Sequence, residues 1–225
     1  MQIRDVKEQV HDHMFRQRLP FTIIDVGYWY ELRFPRVPSG KFDYAAILPL
    51  NDVYAGGTTP NMLMAKRDVG RITVRMIKDE RTLNKRVYAY GDLLSQNEVN
   101  AIVEEKTGEK LELVPVRSNT SLCDDFQSAN LKVQRSAEEA LANLKAAKAA
   151  AETDPANPMN MAGLAIAEYC VSKYVRADNT PENAEYLGYI NGRELYPDFA
   201  WIKFTDLVDE LIAGSVRRPW PQLQQ

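Results

Sequence analysis

The sequence has little cysteine and no long apolar run, and both features narrow what the chain can be. Only Cys123 and Cys170 occur, far apart in the sequence, which predicts reduced thiols rather than a disulfide framework. No stretch approaches the roughly 18 consecutive apolar residues of a membrane span. The charged start, with Arg4, Asp5 and Lys7, is unlike a signal peptide. A cytoplasmic protein without a membrane partner is therefore the expectation.

Neither sign of charge dominates. The 225 residues include 28 Lys and Arg against 31 Asp and Glu, a formal net charge of −3, so we expect no nucleic-acid partner. The two histidines, His11 and His13, lack cysteines or a carboxylate cluster at ligand spacing, and we predict no metal site. A hydrophobic fraction of 45% is enough to bury the core of one domain over residues 1–225.

The central segment predicts a helix, a strand and a second helix. Asp68 stands where an N-cap belongs, and the first helix ends at the charged turn 78–81. The sequence Val-Tyr-Ala-Tyr at 87–90 predicts a short strand. The sequence Ser-Gln-Asn-Glu at 95–98 forms a capping box that starts the second helix, and Gly108 is placed to end it.

Upstream of that segment, a helix and a strand lead to an aromatic cluster. Residues 3–17 carry apolar side chains at helical spacing, and residues 21–26 form a continuous β-rich apolar run. Such a run is typical of a strand in a parallel sheet. Gly27, Tyr28 and Trp29 follow at its carboxyl end, where open α/β sheets bind ligands. The aromatic rings either line a pocket or cover the core.

The composition changes between residues 128 and 154, where alanine, lysine and glutamate dominate. Such a stretch strongly favours helix, and we predict a helical insertion there. With few large apolar residues, it is either solvated, a cover for the pocket, or a partner-binding helix.

Five short motifs resemble the C-terminal half of the NmrA-like, isoflavone-reductase-like family of atypical short-chain dehydrogenases. The motifs are Asp-Val-Gly at 68–70, Asp-Glu-Arg-Thr-Leu-Asn-Lys at 79–85, Ser-Gln-Asn-Glu at 95–98, Lys-Thr-Gly at 106–108 and Glu-Leu-Tyr-Pro-Asp at 194–198. Each one alone is weak, but their order and spacing together are specific.

The resemblance implies an α/β chain that forms the C-terminal, substrate-side part of a Rossmann-like NAD(P)-binding fold, with a reduced parallel sheet and additional helices. It also implies NADP as cofactor. The family's glycine-rich pyrophosphate loop has no counterpart here, so the chain is expected to be truncated at its N-terminus relative to the family, and no cofactor-binding residue is identified. Gly56 and Gly57 lie in a sequence typical of a turn.

The implied activity is NADP-dependent reduction of a small, often aromatic, substrate. Counting back from the strand, Lys7 falls on the position of the family's catalytic lysine, a general acid or base. Gly27, Tyr28 and Trp29 are the expected substrate pocket. Two alternatives stay open: a non-catalytic NmrA-like redox sensor or regulator, and an inactive fragment. The sequence specifies neither the substrate nor the oligomeric state.

A second dehydrogenase-like pattern competes with this assignment. Tyr169 and Lys173 are spaced as the Tyr-x-x-x-Lys of classical short-chain dehydrogenases. The pattern follows the strand at 21–26 instead of preceding it, and its residues fit an ordinary helix. We therefore interpret it as a coincidence.

Overall fold

The structure is a computed structural model that describes residues 2–32, 34–46, 52–111, 113–115 and 132–217. The helices in this part of the chain are α1 (Gln2–Arg16), α2 (Lys66–Ile77), α3 (Gln96–Thr107), α4 (Ala137–Thr153), α5 (Pro158–Cys170), α6 (Pro181–Tyr186), α7 (Gly192–Leu195) and α8 (Phe204–Ile212). The strands are β1 (Thr22–Val26), β2 (Tyr28–Trp29), β3 (Val53–Tyr54), β4 (Asn61–Met64), β5 (Lys85–Ala89), β6 (Asp92–Leu94), β7 (Leu113–Pro115), β8 (Lys132–Arg135) and β9 (Ile190–Asn191).

The described strands form three small sheets in which parallel pairing predominates. Their orders are β1-β5-β9, β2-β4-β6 and β3-β8-β7. The first and third are wholly parallel, and in the described part of the chain only the β4–β6 pair is antiparallel. Parallel strands need crossover connections, and α2 lies in the one between β1 and β5. The α/β class predicted from the sequence is confirmed.

The strands predicted at 21–26 and 87–90 are β1 and β5, which pair with each other. Their register runs from Thr22 opposite Lys85 to Val26 opposite Ala89. Apolar side chains of both strands pack against one face of α2, and each residue of β1 is partly buried. The fully buried members of this cluster from α2 and β5 are Met76, Ile72, Val87 and Ala89.

The predicted N-cap of α2 is wrong. The helix begins at Lys66 with Ala65 as its N-cap, so Asp68 lies inside the first turn. Its side chain is completely buried, accepts a hydrogen bond from Arg71, and accepts another from the backbone N–H of Ile202 at 2.8 Å. The Asp68 carboxylate thus accepts a backbone N–H from a segment far along the chain, a tertiary contact that the local sequence does not reveal.

The predicted start and end of α3 are confirmed. The Ser95 hydroxyl accepts the N–H of Glu98, while the Glu98 carboxylate accepts the N–H of Ser95 at 2.8 Å. Gly108 ends the helix with a φ of 71°, a left-handed conformation that favours glycine. The apolar face of α3 then packs against α8 in the largest core cluster, which includes Val103 and Leu211.

The Ala/Lys/Glu-rich insertion predicted at 128–154 is helical over α4. Residues 128–131 lie outside the described part of the chain. β8 occupies Lys132–Arg135, so strand replaces the predicted helix there. The helix itself starts at a capping box of Ser136 and Glu139. Its contacts are chiefly with α5, which makes the two helices a pair.

Among the described residues, no helix is long and apolar enough to cross a membrane. Cys170 is a buried free thiol, and Cys123 falls outside the described residues. In the same part of the chain, no group of three or more His, Cys, Asp or Glu side chains is arranged to hold a metal ion.

Two of the family-like motifs meet at one ionic contact. The Tyr196 hydroxyl donates to the Asp79 carboxylate at 2.8 Å, and Arg81 also binds that carboxylate. Hydrogen bonds from Arg81 and then from Tyr196 hold the pKa of Asp79 well below its usual range. Burial first, and then the bond to Asp79, raise the pKa of Tyr196 to about 12. The contact ties the turn after α2 to the segment after α7.

This contact predicts how stability depends on pH. The pKa of Tyr196 is higher in the folded state, at about 12, than in the unfolded state, at about 10. Its contribution to the free energy of unfolding is therefore complete below about pH 10 and is lost as the pH rises through about 12. The depressed Asp79 pKa means that its contribution is lost on acidification below about pH 4. We expect Tyr196→Phe to lower the free energy of unfolding at neutral pH and to flatten its alkaline decline, measured by urea denaturation. Tyr186→Phe is the control, since Tyr186 is 86% exposed.

Candidate functional site

Gly27 marks the point where the chain changes partner strands. Its N–H donates to the carbonyl of Ala89 in β5 at 3.1 Å, and the next residue already pairs with Leu63 of β4. A Cβ on Gly27 would lie 2.5 Å from the carbonyl oxygen of Met62, closer than atoms approach without a shift of the backbone. The close strand contact, rather than an unusual φ, therefore requires glycine at this position.

Gly27→Ala tests this close contact. Because the clash is with backbone, we expect a loss of about 1–3 kcal/mol in the free energy of unfolding, read from urea denaturation. Gly70→Ala is the matched control: Gly70 is exposed on α2, and a Cβ added there would have no neighbouring atom within 4 Å. That change should stabilise by about 0.5–1 kcal/mol. Equal effects of the two substitutions would contradict the argument.

Tyr28 and Trp29 each lie against a lysine, but on different sides of β2. The Lys173 ammonium stands 3.5 Å from the ring centroid of Tyr28. The Lys66 ammonium, at the start of α2, stands 6.0 Å from the ring of Trp29. Consecutive residues of a strand point to opposite faces, and a pocket that contacts both rings must extend around the end of β2.

Lys173 lies in a single π-helical turn, Val171–Val175, that continues α5. Its side chain is buried, and the ammonium also faces the rings of Tyr174 at 5.1 Å and Tyr169 at 5.7 Å. We call Tyr28, Tyr169 and Tyr174 the tyrosine box. Cation–π contacts of a desolvated ammonium contribute about 2 kcal/mol or more, which offsets part of the cost of burying the charge.

Two hydrogen bonds fix the π turn to the segment around β4. The Thr59 hydroxyl donates to the carbonyl of Tyr174 at 2.8 Å, and the Asn61 side-chain amide donates to the carbonyl of Lys173 at 3.4 Å. Since β4 also pairs with β2, the same strand positions both Tyr28 and the turn that carries Lys173.

Lys7 is exposed on α1. The helix is tied to the sheet one turn earlier, where the Arg4 guanidinium lies 3.3 Å from the Asp25 carboxylate of β1. Burial first, and the negative charge of Asp25 second, raise the pKa of Tyr169, while the charge of Arg4 lowers it. The contact between α1 and β1 is therefore within electrostatic reach of the tyrosine box. Among the described residues, Lys7 makes no hydrogen bond, ion pair or ring contact with Tyr28 or Trp29.

A separate open cavity of about 440 Å³ lies between Ala55–Gly57 and the start of α4. It is lined by Ala55, Gly56, Gln134, Arg135, Ser136, Ala137 and Glu139. None of the predicted site residues contributes to this lining. Its helix N-terminus is already satisfied by the Ser136 and Glu139 capping box.

Curated relatives include asnovolin J 5',6'-dehydrogenase from Aspergillus novofumigatus, which is 37% identical over 214 residues, covering 94% of this chain and 60% of that protein. The probable pinoresinol-lariciresinol reductase 3 of Arabidopsis thaliana is 23% identical over 208 residues, covering 92% and 58%. The chain resembles proteins of the isoflavone-reductase-like family over more than nine-tenths of its length. It spans 56–60% of the length of the first three curated relatives that it matches.

The fold of the chain is also found among solved structures. The leucoanthocyanidin reductase of Vitis vinifera, solved as a binary complex with NADPH, superposes with a TM-score of 0.64 at 18% identity, covering 92% of this chain and 57% of that one. No protein-family profile matches the chain. The likeness at this low identity establishes the fold alone.

In this isoflavone-reductase-like chain, the tyrosine box is the feature that sequence interpretation missed. The signal was present, since Tyr169 and Lys173 are four residues apart and share one helix face. It was set aside because the pair lies far along the chain from β1. The structure brings Lys173 onto Tyr28, a predicted pocket residue.

Proposed function

We propose that this chain forms the substrate-side part of an NADP-dependent oxidoreductase that reduces a small aromatic molecule. The observation that carries the proposal is the 37% identity to a fungal dehydrogenase over 94% of the chain. The fold shared with a reductase solved with NADPH supports it. Localisation in the cytoplasm is part of the proposal.

The starts of α2, α3 and α4 do not fit the dinucleotide's pyrophosphate. At the start of α2, both oxygens of the Glu31 carboxylate accept the N–H of Lys66, at 3.0 and 3.1 Å. The junctions before α3 and α4 carry the Glu98 and Glu139 carboxylates of their capping boxes. A carboxylate already at each of these sites repels a second anion and fills the donors that it needs. In the proposal, these three junctions do not hold the cofactor.

In the proposal, the residues of this chain instead bind the substrate and exchange a proton with it. Gly27 lets the chain pass close to β4, so that Tyr28 and Trp29 stand at the carboxyl end of β1, where α/β sheets bind ligands. Lys7, exposed on a helix attached to β1 through Arg4 and Asp25, is the proposed proton donor or acceptor. When bound, NADP supplies the hydride chemistry.

The test uses the purified chain and a fusion of it to the part of the Aspergillus relative that it does not match. We expect the fusion to bind NADPH with micromolar affinity by calorimetric titration and to consume NADPH with at least one member of a panel of aromatic substrates that includes pinoresinol. We expect no comparable binding by the chain alone. A folded fusion that binds NADPH without turnover of the panel would instead favour a redox sensor, and one that binds neither would contradict the proposal.

A further inference from the structure

We propose that Arg4 and Glu8 form an ionic clamp that holds the Lys7-bearing turn of α1 on the β1-β5-β9 sheet, and that in the reaction they are positioning residues acting through Lys7. The clamp itself does not depend on the proposed function. Its role in catalysis rests on that function, because Lys7 is the proposed proton donor or acceptor. Since the clamp consists of charges, the position of this turn responds to ionic strength.

The face that α1 turns toward the sheet is polar. Over residues 4–16 the partly buried side chains recur every three or four positions and form one stripe, which consists of Arg4, Glu8, His11 and Met14. The apolar side chains of Val6 and Val10 lie outside that stripe and are exposed. The turn around Lys7 therefore contacts the sheet through Arg4 and Glu8 rather than through these two valines.

Arg4 and Glu8 together reach all three strand segments of the sheet. The Arg4 guanidinium lies 3.3 Å from the Asp25 carboxylate of β1. It also donates a hydrogen bond at 3.0 Å to the hydroxyl of Tyr189, a buried residue directly before β9. The Glu8 carboxylate lies 3.7 Å from the Arg86 guanidinium of β5. Because these contacts fall on three neighbouring segments, they oppose both pivoting of the helix and its separation from the sheet.

Arg4 and Glu8 also attract each other, so the clamp acts as one unit. The Nε of Arg4 lies 2.7 Å from the Oε1 of Glu8, one helical turn away, but without hydrogen-bond geometry. The Nδ1 of His11 lies 3.3 Å from the other oxygen of Glu8. Burial raises the pKa of Glu8, but the hydrogen bond from His11 and the neighbouring positive charges outweigh it and hold this pKa below its usual range. Glu8 is therefore an anion at neutral pH.

The clamp lies beside Lys7 and near the expected pocket. Lys7 stands between the two clamp residues in the sequence, three positions after Arg4 and directly before Glu8. Asp25, the β1 partner of Arg4, lies three positions before Tyr28. The contact between Arg4 and Asp25 thus places the first turns of α1 at the carboxyl end of β1, where the substrate is proposed to bind.

The other end of α1 is attached separately. Phe15, in its last turn, and Phe21, directly before β1, have ring centroids 5.0 Å apart. This contact involves no charge pair and lies at the amino end of β1. Weakening the clamp therefore releases the end of α1 that carries Lys7, while the far end of the helix stays on the sheet.

The experiment measures amide hydrogen exchange of the full chain without NADPH, in about 0.1 M and about 1 M NaCl, between which the Debye length falls from about 10 Å to about 3 Å. We expect the amides of residues 7–10 to exchange about fivefold faster in the higher salt, the effect of losing a partly exposed ion-pair network. The amides of α3, whose apolar face packs in the core, should not change.

Three variants test whether the salt effect comes from the clamp. Glu8→Gln removes the charge but keeps the shape of the side chain, so residues 7–10 should exchange at the faster rate already in 0.1 M salt. Arg4→Met should do the same, and Asp12→Asn, at an exposed position of α1, should leave the salt effect intact. Exchange that is independent of salt in the wild type, or a salt effect that survives in Glu8→Gln, would overturn the clamp.

The fusion protein tests the positioning role. Glu8→Gln should lower kcat by about tenfold with little change in KM, since a displacement of about 1 Å costs up to about 10²-fold. In a Lys7→Ala background the same substitution should lower kcat no further, because its effect passes through Lys7. An equal loss in both backgrounds would overturn the positioning role. A fusion without turnover would contradict the proposed function, and with it the role of the clamp in catalysis, while hydrogen exchange still decides the clamp itself.

Discussion

Replacing Lys7 with alanine in the fusion protein is expected to lower kcat by about 10²–10⁴-fold, the contribution typical of a positioned general acid or base. The substrate would be the member of the aromatic panel with the fastest turnover. Lys7 is exposed on α1, so its removal leaves no cavity, and the folded state should be as stable as that of the wild type. KM should change much less than kcat, because proton transfer matters in the transition state and not in the bound ground state.

Two further variants separate proton transfer from simple loss of charge. Lys7→Arg retains the positive charge, but a guanidinium does not give up its proton near neutral pH, so it should be as slow as Lys7→Ala. Lys148→Ala removes an exposed lysine from α4 and should leave kcat unchanged. A Lys7→Ala enzyme within about threefold of the wild type would identify Lys7 as a solvated lysine, because general catalysis is worth far more than that.

The sequence was sufficient where the relevant interactions are local. The capping box of Ser95 and Glu98 and the left-handed Gly108 follow from residues within a few positions of one another. The apolar face of α8 was also predictable, because helical spacing alone identifies Leu207 and Leu211, both of which are buried.

Sequence interpretation failed where the deciding partner is distant. Asp68 resembles an N-cap, yet its carboxylate is taken up by the N–H of Ile202, 134 positions away. The apolar residues at helical spacing in α1 predict a buried stripe, but Val6 and Val10 are 58% and 64% exposed, respectively. Both outcomes depend on which elements meet in space, and periodicity carries no information about that.

The candidate site also has one part that local sequence predicts and one part that depends on a distant residue. The position of Gly27 and Tyr28 at the carboxyl end of a strand follows from the apolar run that precedes them. The ammonium against Tyr28 comes from Lys173, 145 positions later by the numbering. Only the crossing of β4 beside β2, with the π turn hydrogen-bonded to it, brings the two together.

The second large effect on stability is expected at a buried ion pair next to the tyrosine box. The Arg135 guanidinium of β8 binds the carboxylate of Asp52, and their side chains are 5% and 12% exposed, respectively. Removing the cation with Arg135→Met leaves a buried carboxylate without that compensation. We expect a loss of about 3–5 kcal/mol in the free energy of unfolding, measured by urea denaturation at neutral pH.

Two controls isolate the burial of the charge. Lys106→Met breaks the exposed pair between Lys106 and Asp209, whose side chains are 35% and 57% exposed, and should cost at most about 1 kcal/mol. The double variant Asp52→Leu with Arg135→Met removes both charges and should recover most of the loss, since apolar replacement of a whole buried pair is often near neutral. A double variant as unstable as Arg135→Met alone would mean that Arg135 stabilises through packing instead.

Arg135→Met should also change the position of the residues in the tyrosine box. The Tyr54 hydroxyl donates to Asp52 at 3.4 Å, and the Tyr54 ring stacks on Tyr174 with centroids 5.6 Å apart and planes 5° apart. Tyr174 in turn faces the ammonium of Lys173. If this chain of contacts positions the box, folded Arg135→Met should shift the ring NMR resonances of Tyr28 and Tyr174, whereas Lys106→Met should leave them unchanged. Unchanged Tyr28 resonances in folded Arg135→Met would show that β4 alone holds Lys173 on Tyr28.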